Sequence, residues 1–500
     1  MDPDWARHLP PGMRPESVDL LARRSLPAAW AAGWAAAPGQ PAIHDGQRWM
    51  SNRELADRSR EVAARFAGAG LRAGDRIVMS AATSGDLVVA HVAALRMGLV
   101  VVPVNGAYRE REIAHVISDC APRAAVVDDP ARGEAMASAS AQSLLVVDPT
   151  VALPAGPDPA PELDASRPAD VALLCYTSGT TGTPKGAMLT HGNALASCEA
   201  LRIAWRWTAD DRLVLALPLF HVHGLGVGLH GTLLCGASAV LVPRFAPDAV
   251  LDAAASHDAT LFFGVPTMYA RLAASPRVAE LGRLRLCVSG SAPLPAALHE
   301  QLAADGGVRV LERYGMTETI MNVSNPYDGE RRAGTVGFPL PGVELQLAGD
   351  GGSGEILLRG PNVFPGYWQR ETATAEAFTD DGWFRTGDVG AFDPDGYLRI
   401  VGRSKELIIS GGFNVYPREV EDVLLAHPAV ADVAVVGEPS DEWGEVVVAV
   451  VVVADGQSVT EADVLLHAGA ELAPYKQPRR VRFVEELPRN ALGKVLRHQL

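Results

Sequence analysis

Residues 176–186, YTSGTTGTPKG, have the composition of an anion-binding loop. They include three glycines, four threonines, one serine and one lysine, and the only large apolar side chain is that of Tyr176. Glycines allow successive backbone N–H groups to point into one concavity, and hydroxyl groups add donors around it. Lys185 adds a positive charge, so the loop suits a phosphate. The P-loop pattern is not met, because Lys185 follows Pro184 and precedes Gly186.

The position of this loop in the chain supports a ligand-binding role. The apolar residues 171–176 just before it are predicted to form a buried strand. In open α/β sheets, ligands bind at the ends of strands, where such loops begin. The loop is therefore expected at the mouth of a nucleotide or phosphate site.

The rest of the chain predicts an α/β protein with two domains. Residues 51–54, SNRE, form a capping box that predicts a helix to about residue 68. Strand and helix patterns then alternate, which predicts α/β layers with a mainly parallel sheet. Beyond residue 334, short strands with Gly and Asp turns predict a small β subdomain. We predict an N-terminal domain of residues 1–402 and a small C-terminal α+β domain of residues 403–500.

Composition and charge exclude several classes of protein. Lys and Arg total 44 against 59 for Asp and Glu, a net charge of −15 over 500 residues, which disfavours binding to nucleic acid or an anionic membrane. The five cysteines are scattered, without a CxxC pair, and predict reduced, mostly buried thiols. The first residues, MDPDWARHLPPG, do not resemble a signal peptide, so a cytoplasmic location is expected.

Four further polar motifs follow the loop: LERYGMTET at 311–319, WFRTGD at 383–388, GRSKELIISGGFNVYP at 402–417 and PRNALGKVLR at 488–497. In this order and spacing, the five motifs resemble the adenylate-forming superfamily of acyl-CoA synthetases, peptide-synthetase adenylation domains and firefly-type luciferases. The resemblance covers nearly the whole chain. It implies that a carboxylate attacks the α-phosphate of ATP to form an acyl-adenylate, and that CoA then displaces AMP. Such chemistry depends on positioning and on neutralising negative charge.

The resemblance also implies roles for residues at the ATP site. Thr317 would contact the α-phosphate and Glu318 would hold Mg²⁺, a hard ion that prefers oxygen ligands. Asp388 would accept hydrogen bonds from the ribose, with Arg403 close to the same sugar. Residues expected to hold the β- and γ-phosphates are Thr177, Ser178, Gly179, Thr180, Thr181, Gly182 and Lys185. Residues expected to form the adenine slot are Gly290, Ser291, Ala292, Tyr314 and Gly315.

The C-terminal domain is expected to be mobile and to take part in catalysis. By resemblance, Lys494 reaches into the cleft and contacts both the acid and the α-phosphate. Lys405 matches the hinge about which this domain rotates between the two half-reactions. After rotation, Gly411, Gly412 and Phe413 would face the thioester-forming site and help to admit CoA.

The acid is expected to be small and to carry a second charge. The strings FHVHGL and ERYGMTET followed by IMNVSNPYDGE resemble malonyl-CoA synthetases more than long-chain or aryl-acid ligases. The second carboxylate of malonate needs a partner if it is buried, and an arginine offers a planar bidentate fork. The expected acid-pocket residues are His221, which is also expected to be catalytic, His223, Thr267, Arg285 and Met321.

The sequence leaves other functions open. The substrate can be malonate or methylmalonate, another small or aryl acid, or a different small anion in specialised biosynthesis. The acceptor can be CoA, a carrier protein or an amine. A non-catalytic nucleotide-binding or scaffold protein on the same fold is the alternative of another class, although Lys185, Glu318 and Lys494 are all present.

Overall fold

The structure is a computed structural model that describes residues 3–154, 161–177, 184–349, 352–410, 413–440, 443–490 and 493–500. The strands are, in chain order, β1 (Pro41–His44), β2 (Trp49–Ser51), β3 (Arg76–Ser80), β4 (Val100–Pro103), β5 (Ala124–Val127), β6 (Leu145–Val147), β7 (Val171–Thr177), β8 (Lys185–Thr190), β9 (Arg212–Leu215), β10 (Ser238–Leu241), β11 (Leu261–Gly264), β12 (Leu286–Ser289), β13 (Leu311–Tyr314), β14 (Val323–Ser324), β15 (Phe338–Pro339), β16 (Glu344–Ala348), β17 (Ser353–Arg359), β18 (Phe384–Phe392), β19 (Leu398–Arg403), β20 (Ile408–Ser410), β21 (Phe413–Val415), β22 (Val430–Ser440), β23 (Gly444–Val453) and β24 (Arg480–Val484). The α-helices are α1 (Leu26–Ala36), α2 (Asn52–Gly68), α3 (Gly85–Arg96), α4 (Glu110–Cys120), α5 (Pro130–Ala139), α6 (His191–Ala204), α7 (His230–Cys235), α8 (Pro247–Ser256), α9 (Pro266–Ala273), α10 (Ala296–Asp305), α11 (Glu371–Glu376), α12 (Pro417–Leu425) and α13 (Glu461–Glu471).

Two large sheets form the centre of the N-terminal part. One has the strand order β6-β5-β3-β4-β7-β8, and the other has the order β15-β14-β13-β12-β11-β9-β10-β1-β2. Within each sheet the central strands are parallel, and the antiparallel pairs lie at the ends. The predicted α/β architecture with mainly parallel sheets is confirmed. The predicted capping box is also present, because the Ser51 hydroxyl accepts a hydrogen bond from the Glu54 N–H at 3.2 Å and α2 begins there.

The predicted β subdomain is an antiparallel sheet with the order β16-β17-β18-β19. Its last strand places Arg403 directly opposite Asp388 on β18. The predicted boundary between residues 402 and 403 therefore falls inside β19, one residue before the strand ends. The chain leaves this sheet after Arg403 and enters the C-terminal sheet at Ile408.

The C-terminal part has its own sheet and its own apolar core. The sheet has the order β21-β20-β23-β22, with β24 parallel to β23, and α12 and α13 cover it. Buried valines and leucines of β22, β23, α12 and α13 form a cluster separate from the N-terminal core. A separate core is what a domain needs in order to move as one body. In the described part of the chain, no helix has the length and apolar content needed to cross a bilayer.

Several histidines are buried in the N-terminal core, where their imidazole rings are neutral. The Nε2 atoms of His91 and His230 lie 2.7 Å apart, and neither ring nitrogen of His191 has a hydrogen-bond partner among the described residues. Burial lowers the pKa of His91 to about 3, and it lowers the pKa values of His8 and His191 to about 4. These rings are therefore neutral in the folded protein near neutral pH.

We expect the free energy of unfolding to fall as the pH is lowered from about 6.5 to about 4. The unfolded histidines bind protons near 6.5, whereas the folded ones do so only near 4 or below, so acid favours the unfolded state. Each histidine contributes up to about 1.4 kcal/mol per pH unit in this window. Burial raises the pKa of Glu312 to about 7 and also raises those of Glu318 and Asp422, which opposes the loss, but the histidines with lowered pKa values outnumber these carboxyls. Urea titrations from pH 7.5 to 4.5 measure the slope. A flat profile would contradict the prediction, and His91→Asn should make the slope shallower.

Candidate active site

The predicted phosphate loop joins two antiparallel neighbours in the first sheet. Thr177 ends β7, Lys185 begins β8, and the two residues pair across the ladder. The preceding Tyr176 is fixed by a 2.7 Å hydrogen bond from its hydroxyl to Asp119. The loop therefore begins at the end of β7, as predicted, and connects two paired strands. Five of the expected phosphate contacts lie outside the described residues: Ser178, Gly179, Thr180, Thr181 and Gly182.

Lys185 and Glu318 are linked through Tyr367, a residue that the sequence analysis did not single out. The Lys185 ammonium lies 5.3 Å from the centre of the Tyr367 ring, a cation–π distance. The Tyr367 hydroxyl donates a hydrogen bond to Glu318 Oε1 at 2.9 Å. Glu318 is only 6% exposed, and burial raises its pKa, although the hydrogen bond from Tyr367 opposes this. The ring of Tyr367 thus fixes the relative positions of a cation and a carboxylate.

The turn YGMTET is folded tightly after β13. A Cβ on Gly315 would clash with the carbonyl oxygen of Ile320, and the same Cβ would lie 3.1 Å from the Met321 sulfur. The buried Asn362 amide donates to the carbonyls of Thr319, at 3.1 Å, and Met321, at 3.0 Å. These contacts hold the partly exposed Thr317 and the carboxylate of Glu318 at the end of the strand. Met321 itself is 1% exposed and packs in the core.

Asp388 lies at the centre of a group of polar side chains. The Tyr314 hydroxyl donates to its Oδ2 at 2.6 Å, and Arg403 Nε lies 3.0 Å from its Oδ1. Arg403 comes from the neighbouring strand, since it pairs with Asp388 across β18 and β19, whereas Tyr314 reaches Asp388 from β13 in the other sheet. A carboxylate can accept about four hydrogen bonds, so the group retains capacity for ribose hydroxyls.

Lys494 is placed beside this group by a turn of the C-terminal part. Its N–H donates to Asn490 Oδ1 at 3.0 Å, and Gly493 adopts φ +76 to close the turn. Burial and the charge of Arg403 lower the pKa of Lys494, while Glu406 and Asp388 oppose the shift. A Cβ on Gly493 would lie 2.9 Å from the side chain of Thr267. The structure therefore brings together the predicted catalytic lysine, the predicted ribose-binding group and Thr267, one of the predicted acid-pocket residues.

The predicted hinge and CoA residues lie where the chain passes between sheets. Lys405 is exposed in the short 3₁₀ turn Ser404–Glu406, between β19 and β20. Phe413 is 56% exposed, and its ring stacks on Tyr475 with 4.7 Å between ring centres. Gly411 and Gly412 lie outside the described residues. The roles of Lys405 and Phe413 remain predictions.

His221 and His223 lie together at the loop after β12, where the adenine slot is predicted. The N–H of His223 donates to His221 Nδ1 at 3.2 Å, and the Ser291 hydroxyl lies 3.3 Å from His223 Nδ1. Ser291 adopts a left-handed φ of +71, which turns the loop sharply after Gly290. Burial and the nearby charge of Arg313 lower the pKa of His221 to about 4, and they place that of His223 well below 6.5. Both rings are neutral near neutral pH.

The prediction that Arg285 binds the acid is wrong. Its guanidinium forms a bidentate ion pair with the buried Asp211, with Nε–Oδ1 2.6 Å and Nη2–Oδ2 2.5 Å. It also donates to the backbone carbonyl oxygens of Trp205 and Arg206, at 3.1 and 3.2 Å. Arg285 precedes β12, whereas Ser289 ends it, so about 13 Å of strand separates the backbone of the two residues. The residue is a structural brace.

A different arginine, Arg313, lies at the slot. It is 4% exposed on β13, and a Cβ on Gly290 would clash with its guanidinium. Among the described residues, neither its Nε nor its Nη2 has a hydrogen-bond partner. Arg313 is not among the residues predicted from the sequence, although a charged residue within the buried strand LERY was an available signal.

Comparisons with known proteins place the chain in a family. Residues 30–368 match the AMP-binding enzyme family, and residues 419–494 match its C-terminal domain. The chain therefore belongs to the AMP-binding enzyme family, and it is an ATP-dependent acyl-CoA ligase of the adenylate-forming superfamily. The predicted superfamily and enzyme class are confirmed.

Three similar proteins give the sequence identity, coverage and structural similarity to members of this family. The chain is 39% identical to a feruloyl-CoA synthase of an Amycolatopsis species, over 93% of this chain and 96% of that one. The crystal structure of ATP-bound MatB from Rhodopseudomonas palustris is 40% identical, covers 95% of this chain and 98% of its own, and has a TM-score of 0.89. A malonyl-CoA ligase product complex with methylmalonyl-CoA and AMP is 44% identical, covers 90% of this chain and 97% of its own, and has a TM-score of 0.65. A lower TM-score at higher identity is expected when similar domains are arranged differently.

Proposed function

We propose that the protein activates malonate, or methylmalonate, with ATP and then transfers the acyl group to CoA. In the first step a carboxylate oxygen attacks the α-phosphorus, and pyrophosphate leaves. In the second step the thiol sulfur attacks the acyl carbon, and AMP leaves. The observation that carries the adenylation step is the position of Lys494 beside Asp388 and Arg403, which are contributed by another part of the chain.

The side chains are suited to charge neutralisation at each part of ATP. Lys494 would lie between the attacking carboxylate and the α-phosphate, because it is a partly buried cation beside the proposed ribose-binding group. Asp388 and Arg403 would hold the ribose, and Thr317 would donate to the α-phosphate. Lys185 would contact the leaving pyrophosphate together with the loop that follows β7. None of these residues needs to form a covalent bond with the substrate.

Glu318 is a suitable ligand for Mg²⁺ on the phosphates. Among the described residues, no group of three or more His, Cys, Asp and Glu side chains could hold a metal ion. Magnesium is usually bound by one or two carboxylates together with substrate phosphates and water, so a single buried carboxylate is sufficient. The bound ion would neutralise charge on the phosphates, and Tyr367 would keep Glu318 oriented towards it.

The malonate assignment is supported by the local motifs and by the likeness to a malonyl-CoA ligase. The feruloyl-CoA synthase is nearly as similar, so an aryl acid is the second candidate. ATP–pyrophosphate exchange with malonate, methylmalonate, acetate, ferulate and decanoate separates these candidates. We expect exchange with malonate and, when CoA is added, malonyl-CoA. Exchange with ferulate or decanoate alone would refute malonate, and no exchange with any acid would favour a non-catalytic protein. Thioester formation only with a carrier protein would identify a different acceptor.

A further inference from the structure

Arg497 makes contacts with three separate segments of the chain. Its Nη1 donates to Glu406 Oε2 at 3.0 Å, and its Nη2 donates to Glu421 Oε1 at 2.6 Å. Its Nε lies 3.4 Å from the carbonyl oxygen of Val435. The guanidinium therefore joins the end of the chain to the short turn between β19 and β20, to α12 and to β22. Arg497 follows Lys494 by three residues, so these contacts restrain the segment that carries the proposed catalytic lysine.

Lys494 lies in a loop, here called the lysine loop (488–490 and 493–496), whose two sides are joined by backbone hydrogen bonds. The N–H of Leu496 donates to the carbonyl oxygen of Pro488 at 2.8 Å, and further bonds of this kind join the two sides nearer to the lysine. Because the arginine follows the last residue of this loop, a contact that fixes the arginine also fixes the base of the loop.

The two carboxylates that bind Arg497 differ in their surroundings. Glu421 is 5% exposed on α12 and also accepts a backbone N–H of β22 at 2.8 Å, so it anchors the arginine to the body of the C-terminal part. Glu406 is partly exposed and ends the turn between β19 and β20, directly after the predicted hinge residue Lys405. One guanidinium thus connects the lysine loop to the downstream end of the hinge turn.

Glu406 is also close to the cations of the ATP site. Burial and the charge of Arg403 lower the pKa of Lys494. Arg497 adds to this shift, whereas Glu406 opposes it. Glu406 is likewise coupled to Arg403, the last residue of β19. The turn therefore places one carboxylate among three cations, and its pairing with Arg497 leaves the ammonium of Lys494 available to the substrate.

We propose that Arg497 and Glu406 are positioning residues for adenylation: their ion pair fastens the lysine loop to the hinge turn and keeps Glu406 from pairing with Lys494. This inference rests on the proposed adenylation function and adds the two residues through which the hinge acts on the lysine. An ordinary exposed ion pair contributes little. This one is shared with the buried Glu421 and lies at the segment expected to absorb the rotation. A displacement of the ammonium by about 1 Å is enough to lower the rate by about 100-fold.

The kinetics of the two half-reactions test the proposal. Glu406→Ala leaves the pair between Arg497 and Glu421 intact, so the C-terminal part is expected to fold. With the best acid of the exchange panel, we expect kcat for pyrophosphate exchange to fall about tenfold or more, while KM for ATP and for the acid stays within about threefold. Thioester formation from the synthetic acyl-adenylate should also stay within about threefold. Glu406→Gln should recover part of the loss, because its amide oxygen still accepts from the guanidinium. Equal losses in both half-reactions would overturn the proposal.

Two comparisons separate positioning from a general structural role. In a Lys494→Ala background, Glu406→Ala should change the residual exchange rate by less than about twofold, because Glu406 acts through the lysine. A further tenfold loss in that background would overturn the proposal. Arg480→Met is a matched control, since Arg480 Nη1 pairs with Glu438 Oε2 at 2.8 Å and joins β24 to β22 in the same C-terminal sheet. It should leave both half-reactions unchanged.

Hydrogen exchange measures the link without any substrate. The amides of Asn490, Lys494 and Leu496 are hydrogen-bonded within the lysine loop. We expect Glu406→Ala to speed their exchange by about threefold or more and to leave β23 unchanged, whereas Arg480→Met should change neither. Unchanged exchange in the lysine loop would overturn the inference and leave adenylation standing. If no acid supports pyrophosphate exchange, the proposed function fails, and the hydrogen-exchange result still decides whether Glu406 holds the loop.

Discussion

Replacing Lys494 by alanine is expected to lower the rate of acyl-adenylate formation by about 10³-fold, while thioester formation from pre-formed acyl-adenylate stays within about threefold of wild type. The ammonium is partly buried and is coupled to Arg403 and Asp388, so it would act where the effective dielectric is lower than in water and where negative charge builds up on the α-phosphate. In the second half-reaction the acid is already activated, and the C-terminal part is proposed to have rotated, so the lysine has no role there.

The two half-reactions are measured separately, by pyrophosphate exchange and by CoA thioester formation from synthetic malonyl-adenylate. Lys476→Ala is a matched control, because this lysine lies in the same C-terminal part but pairs with Glu419 at 2.5 Å. We expect its adenylation rate to stay near wild type. If Lys494→Ala reduces both half-reactions equally, the account of two domain arrangements is wrong.

The arrangement in this structure fits the first half-reaction. Lys494 is coupled to Asp388 and Arg403, and the Gly493 backbone is close to Thr267. Phe413, which is expected to face CoA after rotation, is instead exposed and stacked on Tyr475. The short turn Ser404–Glu406 is the segment between the two sheets that could absorb a rotation.

Much of the fold and the ATP site could be predicted from the sequence because the signals are local. A capping box, apolar strands and Gly-rich turns each act through neighbours in the chain, and α2 and β7 appear where expected. Asp388 and Arg403 lie on adjacent strands of one hairpin, so their meeting was also within reach of sequence reasoning.

The acid pocket could not be predicted in the same way, because it depends on which ends of distant strands meet. Arg285 is only four residues from Ser289, yet it lies at the opposite end of β12 and its fork is held by Asp211. Arg313 lies on β13, the parallel neighbour of β12, and reaches the slot at the end where the loops emerge. Tyr367 reaches Glu318 from 49 residues away. Proximity in the chain favoured Arg285, whereas the register of the sheet brings Arg313, and not Arg285, to that end of the strands.

Replacing Glu318 by glutamine is expected to lower the adenylation rate by about 10²-fold or more and to raise the Mg²⁺ concentration needed for half-maximal rate. The carboxamide keeps the shape and can still accept a hydrogen bond from Tyr367, but it removes the negative charge that would hold the ion. Burial already raises the pKa of Glu318, so the ionised form depends on the cations around it. Lowering the pH should therefore mimic the substitution at low Mg²⁺ and have less effect at saturating Mg²⁺.

Two further variants show whether the charge of Glu318, and not a general disturbance of the site, is responsible. Glu312→Gln changes a carboxylate of similar burial, 5% against 6% exposed, on the face of β13 away from Arg313, and should leave the Mg²⁺ dependence unchanged. Tyr367→Phe keeps the ring beneath Lys185 but removes the hydrogen bond to Glu318, so we expect a loss of about tenfold or less. Exchange rates measured across a Mg²⁺ series distinguish these effects. If Glu318→Gln lowers the rate by the same factor at every Mg²⁺ concentration, the carboxylate does not bind the ion, and its contribution comes from holding Tyr367 and Lys185 in place.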